Sequence, residues 1–183
     1  DGGKTWNKTN LTCLENTEIK QIDLGGITQF FFYDKNNGWA GCTNGFDASV
    51  LLKTTDGGLT WELAIPYGTD FFGIHFISPF KGGAVGRNSI FSNVFLTDNN
   101  FETFSYENQA WDYEMYQYAK AIAYQNDSII WISGNPALIY RSIDSGKTFQ
   151  KFQFLDNEEH SSYVDKISFF GNTGYAMGFC TLY

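Results

Sequence analysis

Short apolar runs separated by turn residues recur along this chain. Val50-Leu51-Leu52 and Leu63-Ala64-Ile65 flank a polar stretch, Thr54-Thr55-Asp56-Gly57-Gly58-Leu59-Thr60-Trp61. An Asp-Gly-Gly between two such runs signals a hairpin: Asp bonds its own backbone, and Gly accepts positive φ without a Cβ clash. The pattern Ser/Thr-x-Asp-x-Gly-x-Thr-aromatic returns in full at 142–149, with Ser142, Asp144, Gly146, Thr148 and Phe149 in place. At 1–6 it lacks its first two residues, keeping Asp1 and Trp6. A worn copy at 97–104 reads with Asp98 as the acid, an extra residue before Thr103, and Phe104 as the ring. A motif in several places along one chain marks a repeat.

The same alternation predicts four-stranded units. Residues 27–33 read as an inner strand apolar on both faces, as burial between neighbouring sheets demands. Strands at 39–42, 50–54 and 60–65 complete that unit. The next takes 73–77, 83–86, 93–96 and 103–106; the third takes 119–124, 129–133, 138–141 and 148–154. A last unit supplies 166–170, 175–177 and 181–183, and residues 1–8 read as the outermost strand of another. Gly41, Gly86, Gly134 and Gly178 close the second strands at steps of 45, 48 and 44 residues. Each step is one four-stranded unit. No helix is predicted.

These residues resemble the Asp-box, or bacterial neuraminidase repeat, over the whole chain. In that family the box is the turn between the third and fourth strands of a β-propeller blade. The resemblance implies that Asp56 and Asp144 accept backbone and hydroxyl hydrogen bonds. It also implies that Trp6, Trp61, Phe104 and Phe149 wedge between sheets. Gly38-Trp39-Ala40-Gly41, Gly83-Ala84-Val85-Gly86, Trp131-Ile132-Ser133-Gly134 and Gly174-Tyr175-Ala176-Met177-Gly178 add a narrower likeness. Such strands followed by boxes are similar to the photosystem II assembly and stability factor propellers. The implied fold is all-β, a β-propeller of four-stranded antiparallel blades in one domain, 1–183. Blades are expected at about 21–66, 67–106 and 107–155, with partial ones at 1–20 and 156–183. They would form an arc of a ring of about six to eight blades, the chain being an excerpt of a longer protein.

Composition narrows the partners. Aromatics make up 19% of residues, with 18 Phe, 11 Tyr and 5 Trp, which suits sheets that bury flat rings between layers. A net charge of −8 argues against a phosphate-backbone partner, so nucleic acid is not expected. No apolar run reaches the length of a membrane span. Secretion, or a periplasmic or cell-surface location, is expected, with any signal peptide outside this stretch. Cys13, Cys42 and Cys180 form no CxxC pair and read as buried thiols. Asp34-x-Asn36-x-Gly38 lacks the further ligands of a calcium loop and reads as a hairpin turn. His75 and His160 stand apart, without triad or metal-ligand spacing. Neither metal nor cofactor is expected.

The box residues hold turns at the outer edge, away from the expected ligand face. Sialidase chemistry needs three arginines on the substrate carboxylate, and the chain holds only Arg87 and Arg141. No carboxylate pair stands out for glycoside hydrolysis, and no catalytic residue is assigned. Candidate contacts lie on the connections toward the ligand face. The stretch 107–118 is the longest and most aromatic of these, with Trp111, Tyr113 and Tyr116, and exposed rings of this kind are common anchors. Asp70, Arg87 and Asn135 are expected at its rim. The reading is a non-enzymatic scaffold for a protein or glycan partner. The alternatives are a secreted glycoside hydrolase, sialidase-like or xyloglucanase-like, and a sortilin-type receptor propeller.

Overall fold

The computed structural model describes residues 3–6, 26–43, 49–66, 68–88, 91–106, 118–153 and 162–180. Asp1, Trp111, Tyr113, Tyr116 and the expected strand at 181–183 lie outside them. The described residues form strands and turns, without a helix. The first sheet holds β1 (Gly26–Phe32), β2 (Gly38–Thr43), β3 (Val50–Thr54) and β4 (Glu62–Ile65). The second holds β5 (Asp70–Phe76), β6 (Gly82–Asn88), β7 (Phe91–Thr97) and β8 (Ser105–Tyr106). The third holds β9 (Tyr118–Tyr124), β10 (Ile130–Asn135), β11 (Leu138–Ser142) and β12 (Gln150–Gln153). A two-stranded sheet of β13 (Ser162–Phe170) and β14 (Thr173–Cys180) follows. Within each sheet, strands pair antiparallel with their chain neighbours. The sheets meet mainly along their first strands, β1 on β5, β5 on β9 and β9 on β13. They fan outward from an axis lined by those strands, as propeller blades do.

Aromatic and aliphatic side chains fill the seams. Between the first two sheets, Trp39 stacks on Phe76 with ring centroids 3.4 Å apart, and Leu51, Phe71 and Phe95 pack around them. Trp39 Nε1 donates to Asn100 Oδ1 at 3.0 Å, so the ring's one polar atom is satisfied across the seam. Val85, Val94 and Leu96 of the second sheet meet Ile122, Tyr124 and Ile132 of the third. There the Tyr124 hydroxyl donates to the Gly82 carbonyl at 2.8 Å. Trp131 faces Phe169 at 5.5 Å across the next seam.

Several expectations need correction. Strand β1 is not buried on both faces: Phe31 packs into the seam, but Ile27, Phe30 and Phe32 are exposed. No described sheet covers that side. The first strand of the second sheet starts at Asp70 rather than residue 73, and β6 and β10 run on through Arg87 and Asn135. These candidate rim residues therefore sit on strand ends, not in connections. Strand pairing continues past the expected boundary because a bulge absorbs the mismatch there.

The worn copy is also re-registered. Asn99, not Asp98, occupies the acid's place, since the turn needs an acceptor oxygen two residues after the Thr97 hydroxyl. Thr97 Oγ1 donates to Asn99 Oδ1 at 3.0 Å, as does the Thr103 amide at 3.0 Å. No extra residue is inserted. Phe101 then falls where the other copies have Gly58 and Gly146, at a φ of 61° that glycine tolerates better. Its ring is 5% exposed and packs in the seam, whereas Phe104, the expected wedge, is 40% exposed. Trp6 is 88% exposed, with its Nε1 bonded to the Gly3 carbonyl as Trp61 Nε1 is to Gly58. Trp61 keeps the same local bond but is buried among Ala40, Val50 and Leu52. The local turn is shared; burial of its ring depends on the neighbouring strands.

Candidate functional site

The repeated second-strand glycines explain how the axis acquires its side chains. Each first strand carries one residue more than its partner near those glycines. The pairing passes from Ile27 to Gln29 against Cys42 and Gly41, skipping Thr28. It skips Phe72 opposite Gly86 and Val85, Lys120 opposite Gly134 and Ser133, and Asp165 opposite Gly178 and Met177. Thr28, Phe72, Lys120 and Asp165 are thus equivalent bulge residues on four consecutive sheets. A bulge bends its strand and re-aims the extra side chain. The crowding that results admits only glycine opposite: a Cβ on Gly86, Gly134 or Gly178 would collide with the carbonyl oxygen of Asp70, Tyr118 or Tyr163.

At this end of the first strands, cations and rings alternate across three sheets. The Arg87 guanidinium lies 5.9 Å from the Phe72 ring centroid and 4.8 Å from that of Tyr118. Lys120 Nζ lies 5.7 Å from Tyr118, 3.7 Å from Tyr163, and 2.6 Å from Asp165 Oδ1. Tyr163 in turn stacks on Phe179 at 5.6 Å. Each cation is held near a ring face where the quadrupole attracts it. The strip Phe72–Arg87–Tyr118–Lys120–Tyr163 is therefore preorganised.

Of the expected rim residues, Asp70 and Arg87 are direct cross-strand partners, and Asn135 faces Tyr118. Their roles differ. Asp70 Oδ1 accepts from Ser49 Oγ at 2.5 Å and Thr43 Oγ1 at 3.3 Å, tying the second sheet to the first. Arg87 belongs to the strip, and Asn135 ends β10 beside it. Tyr118, Lys120, Tyr163 and Asp165 were not identified as site residues from the sequence. Their signal was the glycine in the next strand, which marks a bulge opposite.

The box turns lie at the other end of the sheets, beside the first-to-second strand turns. Gly57 N–H donates to Asn36 O, Asn100 N–H to Phe80 O, and Ser145 N–H to Ser128 O, one such bond in each four-stranded sheet. In the complete copies the acid collects its neighbours: Asp56 accepts from the Thr60 hydroxyl at 2.6 Å and amide at 2.9 Å, and from Thr54 Oγ1 at 2.8 Å. Asp144 does the same with Thr148 and Ser142. Chiefly the threonine hydroxyl and amide hold each carboxyl down at about 2, against an ordinary value near 4. Because folding lowers these values, their stabilisation is complete above pH 4 and is lost as pH falls through 2. Replacing Asp56 and Asp144 by Asn should preserve both turns, as Asn99 does naturally. The loss of stability between pH 4 and 2 should then shrink in urea unfolding. An unchanged acid slope would contradict this account.

No protein-family model and no curated protein sequence matches the chain. Solved structures do. YCF48 bound to D1 peptide superposes with a TM-score of 0.58 at 23% identity, covering 75% of this chain and 45% of that one. YCF48 from Cyanidioschyzon merolae gives 0.60 at 20% identity, covering 84% and 48%. The fold is a β-propeller resembling YCF48. The GH74 enzyme of Niastella koreensis shares it more distantly, at a TM-score of 0.56 and 16% identity over 78% of this chain and 24% of that one. The chain spans less than half the length of each of these YCF48-like and GH74 structures.

Proposed function

We propose that this propeller is a non-enzymatic scaffold that binds a protein partner, and that the partner lies as an extended segment across the strip from Phe72 to Tyr163. The observation that carries this reading is the alternation of Arg87 and Lys120 with aromatic rings across three sheets. Rings and guanidinium groups are the side chains that most often anchor protein interfaces. Arg87 offers donors to peptide carbonyls and carboxylates, whereas Lys120 and Asp165, beside it, already engage each other. The YCF48 structure with a bound D1 peptide supports a peptide ligand for this fold. Trp111, Tyr113 and Tyr116, on the stretch that leads into Tyr118, are proposed to extend the same surface, with Asn135 at its edge.

Selection from a displayed library of linear peptides, run beside a glycan array, tests the reading. Peptide binders should emerge, and Arg87→Ala with Tyr118→Ala should weaken them at least tenfold, about 1.4 kcal/mol. Trp111→Ala with Tyr113→Ala should do the same while the circular dichroism spectrum stays unchanged. Capture of glycans alone would replace the protein partner with a glycan, and hydrolysis of a sialoside or xyloglucan would replace the scaffold with the hydrolase alternative.

A further inference from the structure

A cavity of about 390 Å³ runs along the first strands beneath the strip, from the level of Phe72 and Lys120 to that of His75 and Ser168. Its volume falls among small-molecule sites, about 300–1,000 Å³. Its walls are mixed. Ile74, Ile122 and Ile167 supply apolar surface, and Tyr175 and Met177 add large side chains that remain mostly exposed. Two lysines and one aspartate bring charge, so the lining carries one net positive charge inside a protein of net charge −8. Lys120 and Asp165 satisfy each other at 2.6 Å. Lys166 has no ion-pair partner among the described residues.

His75 supplies the second free donor. Its Nδ1 accepts the Tyr124 amide at 3.2 Å, so the neutral ring carries its proton on Nε2. Among the described residues nothing accepts that proton. The ring is fixed between Phe31 at 5.2 Å and Tyr124 at 6.1 Å, and it lines the cavity. The cavity's carboxylate is taken, while an ammonium and an imidazole N–H are open beside apolar walls. We propose that this axial cavity binds a small organic monoanion, a carboxylate on an apolar body, with Lys166 and His75 Nε2–H holding the carboxylate. Burial keeps His75 neutral by lowering its pKa, so the ring donates without adding a second charge. The single net charge favours a monoanion over a dianion. The cavity shares Phe72 and Lys120 with the peptide strip, whereas Arg87, Tyr118 and Tyr163 belong to the strip and do not line the cavity.

Titration of the full chain with hexanoate, hexanol and hexylamine tests the proposal, read by the His75 ring-proton resonance in a His160→Gln background. Hexanoate should shift the resonance saturably and bind at least tenfold tighter than hexanol. It should also raise the His75 titration midpoint, because a carboxylate beside the ring favours imidazolium. Hexylamine should not bind. Lys166→Gln, on an exposed position of β13, should abolish the preference for hexanoate over hexanol. Arg87→Ala should leave hexanoate binding unchanged while weakening selected peptides. No saturable shift, equal affinity for hexanoate and hexanol, a preference that survives Lys166→Gln, or loss of hexanoate binding in Arg87→Ala would each overturn the cavity site. The Arg87→Ala result also separates failure of this site from failure of the peptide strip.

Discussion

Trp39→Ala is expected to lower the unfolding free energy by about 3–5 kcal/mol, the range for truncating a fully buried tryptophan. The ring is 1% exposed and lies flat on Phe76, at an interplanar angle of 7°. Removing it opens a cavity between two sheets that cannot close, because the sheets are held apart by Leu51, Phe71 and Phe95. It also leaves Asn100 Oδ1 without its donor; Asn100 sits in the turn whose carbonyl also receives Lys53 Nζ at 3.2 Å. Two consecutive sheets therefore loosen together. Trp39→Phe should recover most of the apolar contact but not the hydrogen bond. Urea unfolding followed by circular dichroism measures both, and a loss under about 1 kcal/mol for the alanine variant would place the ring outside the load of the seam.

Gly134→Ala is expected to cost about 3 kcal/mol or to prevent folding, at the upper end for overpacking against atoms that cannot move away. The added methyl would overlap the Tyr118 carbonyl oxygen, with the Tyr118 carbonyl carbon at 2.8 Å and Ala119 Cα at 3.0 Å. These are backbone atoms of the paired strand, not the tip of a flexible side chain. Relief would require flattening the bulge that presents Lys120 to the axis. Gly86→Ala should behave alike, since its Cβ would meet the Asp70 carbonyl. Gly26→Ala, with nothing within 4 Å, is the control and should stay within about 0.5 kcal/mol of the parent. If Gly134→Ala unfolded at the parent's urea midpoint, the close approach of β9 to β10 would be wrong.

The candidate site was legible only in part. Arg87 and Asn135 were read from their place just after the repeated glycine-closed strands, and the structure puts them beside Tyr118. Asp70 was read from the connection at 67–72 leading into the next first strand, yet its carboxylate is committed to Ser49 and Thr43 on the neighbouring sheet. Nothing in the local sequence separates an acid facing a partner from one tying two sheets. The difference arises from residues 21 and 27 positions earlier in the chain. Lys120 and Asp165 look like solvated charges on alternating strands. Their pairing depends on two bulges on different sheets facing one axis.

Sequence alone determined the repeat, its step, the strand order within each sheet and the chemistry of the turns. Those features are local: a hydroxyl, an acid two residues on and a glycine four residues on bond one another across a single turn. Even there, Asn99 displaced Asp98, because spacing from Thr97 outweighs the identity of the acid. The tertiary structure decided which rings are buried: Trp61 and Trp6 share one local bond, but among the described residues only Trp61 has strands packed around it. It also decided where the axis receives its charges. A bulge is a mismatch between two strands, so neither strand's sequence contains it. Glycine marks the place of close approach, and the backbone that approaches selects Phe72, Lys120 and Asp165 as side chains that line the axial cavity.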